Sequence, residues 1–221
     1  MLRTIRLTAA IVCFTLVTLL FLDFTGTLHT WFGWLAKIQF LPAVLALNIG
    51  GVLFLIILTI LFGRIYCSVI CPLGVFQDAI SWVSGKRKKN RFRYSPAMKW
   101  LRYGVLAVFI IAMIVGLNAL AILIAPYSAY GRMVSALFAP VWQWGNNLLA
   151  YFAERAGSYA FYEVDVWIKS FSTLVIAVVT LIVLIILAWR NGRTYCNTIC
   201  PVGTVLGFIS RYSIFKPVID T

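Results

Sequence analysis

The feature that most constrains this chain is a twelve-residue stretch that occurs twice. Gly63-Arg64-Ile65-Tyr66-Cys67-Ser68-Val69-Ile70-Cys71-Pro72-Leu73-Gly74 returns as Gly192-Arg193-Thr194-Tyr195-Cys196-Asn197-Thr198-Ile199-Cys200-Pro201-Val202-Gly203. Eight of the twelve positions are identical, at a constant offset of 129 residues, and four of the five cysteines lie in the two copies. Any fold must therefore present two equivalent thiol pairs, each closed by Cys-Pro. Such pairs read first as a metal or redox site.

The sequence around the motifs is that of a membrane protein. Its 221 residues are 62% hydrophobic and only 11% charged, against about a quarter charged in soluble domains. Apolar runs at Leu7–Leu22, Phe40–Phe62, Tyr103–Ile124 and Ser170–Trp189 read as four transmembrane helices. The 23 residues of the second suffice for a hydrocarbon core of about 30 Å. No A-x-A-like cleavage site follows the first run, so it reads as a retained helix rather than a signal peptide. Residues 25–39, with Trp31 and Trp34, read as a short interfacial helix. Ala125–Lys169, with eleven Trp, Tyr and Phe residues, reads as an outer aromatic layer broken at Pro140 and Gly145. Val75–Val83 reads as a short amphipathic segment.

The net charge of +13 is a matter of topology rather than of nucleic-acid binding. With the N-terminus inside, the inner segments hold fifteen of the nineteen Lys and Arg residues; the outer ones hold Lys37, Arg132, Arg155 and Lys169. This positive-inside bias places both termini and both motifs in the cytoplasm. The basic run Lys86–Arg93 is a topology signal compatible with anionic lipid or an acidic partner. The expected architecture is an all-α integral membrane protein, with four transmembrane helices as two parallel helix-pair repeats and interfacial helices. Residues 1–85 form the first repeat, 86–102 a basic loop, and 103–221 the second repeat. A pseudo-two-fold axis along the membrane normal would bring the thiol pairs together.

The motif chemistry follows from spacing. On a continuing helical turn, Cys67 and Cys71 share one face, as do Cys196 and Cys200. Pro72 and Pro201 would end the turn, and Gly74 and Gly203 would let the chain reverse. Cys-x3-Cys-Pro also closes the bacterial ferredoxin run, and two pairs supply the four thiolates of an iron–sulfur cluster. Arg64 and Arg193 favour thiolate over thiol, or snorkel at a helix end. Zinc accepts the same four ligands and Cu(I) suits soft sulfur; a disulfide is disfavoured in a reducing compartment. Plain packing fits lone Cys13 better than it fits a repeat. His29, the only histidine, reads as interfacial, with quinone protonation as its functional alternative, and Asp23 sits at a helix boundary. There is no dinucleotide fingerprint, P-loop, HExxH or nucleophile elbow.

The two motifs, each after a transmembrane helix, resemble the membrane part of the NosR/NapH-type polyferredoxins, from the second helix onward. The resemblance implies a 4Fe–4S electron-transfer component in a bacterial inner (cytoplasmic) membrane, with Cys67, Cys71, Cys196 and Cys200 as the matching positions. It implies a membrane donor such as quinol and a ferredoxin-type domain or subunit at the cytoplasmic face. In such proteins a cytoplasmic ferredoxin-like domain commonly follows the second motif. Here Thr221 comes first, so the expectation is a truncated chain or a separate ferredoxin subunit. The competing expectation is a non-redox membrane scaffold or metal-handling subunit whose four cysteines hold zinc or copper.

Overall fold

The computed structural model describes residues 2–23, 25–46, 48–87, 98–155, 157, 162–166 and 170–215. The basic run beyond Arg87 and the final Lys216–Thr221 lie outside the described residues. Among those described, all regular structure is helical.

Among the described residues, two helices are long and apolar enough to cross a membrane, α1 (Leu2–Leu22) and α10 (Phe171–Asn191), each 21 residues. Their outward faces expose Ile5, Ile11, Ile182 and Ile186, the side chains a lipid environment would cover. Between them α2 (Thr27–Lys37) is the expected short helix, begun by Asp23, whose carboxylate accepts from the backbone N–H groups of Thr25, Gly26, Leu28 and His29. Asp23 is thus a capping residue rather than an intramembrane functional acid.

The expected helices 40–62 and 103–124 are each broken. The first is divided into α3 (Phe40–Leu45) and α4 (Ile49–Phe62), with Asn48 capping α4 by accepting from Gly51 N at 3.1 Å. The cap competes successfully with helix continuation, because an Asn side chain can satisfy a free backbone donor locally. The second runs as α6 (Lys99–Val115), stops at left-handed Gly116 (φ 80°), and resumes as α7 (Asn118–Ile124). Apolar content does not reveal either break; the backbone preferences of Asn48 and Gly116 do.

The aromatic segment divides differently from the expected single outer layer. α8 (Pro126–Met133) and the π-helical turn Val134–Phe138 enter the core, whereas α9 (Ala139–Arg155) exposes Trp142, Trp144 and Phe152. Pro140 and Gly145 do not interrupt α9: Pro140 comes directly after the π-helical turn Val134–Phe138, from which α9 continues without a break. Tyr130 is held by Thr18 (2.7 Å) and packs on Phe14, Phe21 and Phe76. Gly131 admits Phe21 so closely that an added Cβ would lie 2.6 Å from its ring.

The last elements flank the motifs. α5 (Pro72–Arg87) follows the first, longer than the Val75–Val83 segment expected; α11 (Thr194–Thr198) carries part of the second and α12 (Pro201–Ile209) follows it. The two repeats interlock: α10 packs on α5, and α4 packs on α12. Gly192 lies against Ser81 and Gly63 against Ser213, so each motif's first glycine meets a serine of the other half. The core at their junction contains Tyr66, Cys67, Cys71, Leu73, Tyr195, Cys200, Val202 and Leu206, walled by Val17, Tyr130, Met133 and Leu184.

Candidate metal centre

The two cysteines of each pair do not share one continuing helical face. Cys67 lies on the π-helical turn Tyr66–Ile70 and Cys196 on α11, but Cys71 (ψ 114°) and Cys200 (ψ 117°) are extended. Proline explains this: its ring drives the preceding residue out of the helical region. Pro72 and Pro201 therefore start helices rather than end turns, each at the first position of α5 or α12, where no N–H is needed. Each second cysteine then faces the open N–H groups of a helix start. The N–H of Gly203 donates to Cys200 Sγ at 3.3 Å, and those of Leu73 and Gly74 point at Cys71.

Gly74 and Gly203 do not reverse the chain. They sit in the first turns of α5 and α12, pressed against the preceding strand of motif backbone. A Cβ at Gly74 would lie 2.0 Å from the Cys67 carbonyl oxygen, and one at Gly203 2.4 Å from that of Cys196. The two tyrosines act as pins. Tyr66 Oη donates to Gln39 Oε1 and accepts from Phe40 N, and Gln39 Nε2 donates to Ile70 O. Tyr195 Oη donates to Ile124 O at 3.0 Å. Phe40 and Ile124 are the helix ends expected on the outer side, so each motif touches an end expected across the membrane from it, and the broken runs 40–62 and 103–124 are not the straight spans expected.

All four motif cysteines are free and buried, between 3% and 7% exposed. Cys67, Cys71 and Cys200 belong to one core cluster, and Gln77 of the first half reaches Cys196 of the second. Burial pushes every one of these thiols up, Cys71 to about 12, and the neighbouring thiols add to this at Cys71, Cys196 and Cys200. Arg193 and Arg64 oppose it at Cys67. Neutral thiols are thus the ground state of the bare site, and ligation of a cationic group must release protons. Cys13, half-buried on α1, and His29, on α2, are not part of the group.

Two residues that motif reading missed complete the surroundings. Gln77 on α5 is fully buried; its Nε2 donates to Cys196 Sγ at 3.2 Å, and its Oε1 has no partner. Asp78, the next residue, forms a two-pronged ion pair with Arg193 across the repeats. The 129-residue offset does not reveal them, because Leu206 and Gly207 stand at the equivalent places.

The donor set suits an iron–sulfur group. It consists of soft sulfur alone, with backbone and amide N–H groups aimed at three of the four sulfurs, an arrangement that stabilises thiolate. Among the described residues, no group of three or more His, Cys, Asp or Glu side chains is placed to hold a metal ion. The iron–sulfur assignment comes from comparison with known proteins. The 4Fe-4S binding domain family matches residues 44–90 and 171–219, one match for each motif and its preceding helix. The resemblance is to NapH-type iron–sulfur proteins. The ferredoxin-type protein NapH of Haemophilus influenzae is 25% identical over 176 residues, covering 80% of this chain and 48% of that protein. This chain spans about half the length of that relative. No solved structure matches the chain. The matches support an iron–sulfur cluster as the cofactor and electron transport as the broad role.

Proposed function

We propose that Cys67, Cys71, Cys196 and Cys200 together hold one 4Fe–4S cluster at the junction of the repeats, and that the chain conducts electrons through it. What supports this reading is that two thiol pairs 129 residues apart are both buried in the core, with Gln77 of one half donating to Cys196 of the other. A cluster bound there would supply a one-electron carrier. The chain's own residues keep it dry: Leu73, Val202 and Leu206 close the core around the thiols. Arg193, set by Asp78, offsets negative charge on Cys67, Cys71 and Cys196.

The surrounding reading is of a multi-pass protein with four membrane crossings, both termini cytoplasmic, in a bacterial inner membrane. Residues 1–85 and 103–221 are its two repeats, joined by the 86–102 loop. Quinol is the proposed donor. A cavity of about 490 Å³ beside the first motif supports it, with apolar walls from Leu7, Ala10 and Val75 and polar groups from Arg6, Ser68 and Asp78. A ferredoxin-type domain or subunit is the proposed acceptor.

Single Cys→Ser substitutions test the site. Each of the four should lower bound iron and sulfide at least several-fold in anaerobically purified protein, whereas Cys13→Ser should retain both. A short-chain quinol added to the oxidised protein should bleach its visible absorption; no bleaching would remove the quinol donor while leaving the cluster assignment standing. Zinc or copper bound without sulfide would support the metal-handling alternative instead.

A further inference from the structure

We infer that the arginines gathered at Gly207 bind a phosphate group, in the membrane that of an anionic phospholipid. The repeats show what is missing there. In one half, Arg193 reaches across to α5 and is neutralised by Asp78. In the other, Arg64 reaches across to α12, and the residue equivalent to Asp78 is Gly207. Arg64 instead donates to the neutral Asn197 Oδ1.

More positive charge gathers at the same spot. A Cβ on Gly207 would lie 2.5 Å from Arg102 Nη2 and 2.7 Å from Arg64 Nη2, so two guanidiniums flank the glycine. Arg102 is fixed by Thr204, donating to its hydroxyl and its carbonyl at 3.3 Å each. Arg102 and Arg211 both lie over the Phe208 ring, at 5.9 Å and 5.7 Å. Among the described residues no carboxylate pairs with any of these three arginines.

Three like charges held together repel one another unless an anion lies between them. Guanidinium forks match phosphate oxygens, and the missing side chain of Gly207 lets both guanidiniums close onto the α12 backbone with no carboxylate between them, where Asp78 holds Arg193 in the other half. The neighbouring surface favours a lipid over a free ion. Tyr103 stacks on Phe208, and Tyr212, Ile214 and Phe215 are exposed beside it, as at a membrane interface. Basic pockets between helix ends on the cytoplasmic side are the kind of site that takes anionic headgroups.

The test is thermal melting of the full chain in neutral detergent, with added phosphatidylglycerol, phosphatidylcholine or inorganic phosphate. Phosphatidylglycerol should raise the melting temperature by several degrees and phosphatidylcholine should not. Gly207→Asp supplies the missing carboxylate and displaces only the flexible ends of two arginines. It should melt at or above the wild type without lipid and lose the phosphatidylglycerol increment. Arg211→Gln, farther from the thiols, should also reduce the increment and serves if Gly207→Asp does not fold. A shift with inorganic phosphate alone supports the arginine site with a free anion as its occupant. Equal increments in wild type and both variants, or equal effects of the two lipids, would overturn the site.

Discussion

Gln77 separates a four-cysteine pattern from a tuned site. Cys196 receives its amide N–H; Cys67, its repeat equivalent, faces Leu206 at the corresponding place. A donor to a ligating sulfur stabilises the more negative, reduced state and raises the potential. Gln77→Leu restores the symmetry and should lower the midpoint potential. One hydrogen bond contributes roughly 1 kcal/mol, which is about 40 mV for one electron. Redox titration followed by EPR would measure it, and an unchanged or raised potential would refute the role. The cysteines were legible in the sequence because they repeat; Gln77 was not, because its partner is 119 residues away and its own repeat position holds a different residue. Arg193 was legible as a charge near thiols. Its partner Asp78 read only as a polar face of an amphipathic segment.

At the scale of elements, the departures from expectation come from backbone chemistry rather than from hydrophobicity. Pro72 and Pro201 begin helices, and this turns Cys71 and Cys200 toward the N–H groups of α5 and α12. Gly74 is required by a close approach. Gly74→Ala would drive a methyl into backbone, at 2.0 Å from the Cys67 oxygen, and no side-chain rotation can relieve that. The expected cost is about 3 kcal/mol or more, read as a lower melting temperature and loss of the cluster. Gly145→Ala on α9, with nothing within 4 Å of the new methyl, should instead be neutral or stabilise by up to about 1 kcal/mol. Equal behaviour of the two variants would mean that the tight contact is not real. The helical class and the two long apolar helices were readable from composition and run length. The breaks after Leu45 and Val115 were not, since Asn48 and Gly116 interrupt runs that remain apolar on both sides.

For the whole molecule, the repeat explains why the site lies at the centre. α10 covers α5 while α4 covers α12, so each half packs on the helix that follows the other half's motif. The proposed topology, argued from the charge asymmetry, has four crossings with both termini inside. Reporter fusions near Lys88 and near Glu154 test that: the first should report cytoplasm and the second the opposite side. A reversed pair of signals would invert the topology and place the thiols by the wrong compartment for a reduced site. The most direct measurement of the central claim is iron and acid-labile sulfide per polypeptide, with EPR, on anaerobically purified full chain. One shared cluster predicts about four iron and four sulfide, a reducible signal, and loss of both when either pair, Cys67 with Cys71 or Cys196 with Cys200, is replaced by serine. Iron and sulfide that survive removal of one whole pair, or zinc or copper bound without sulfide, would contradict it.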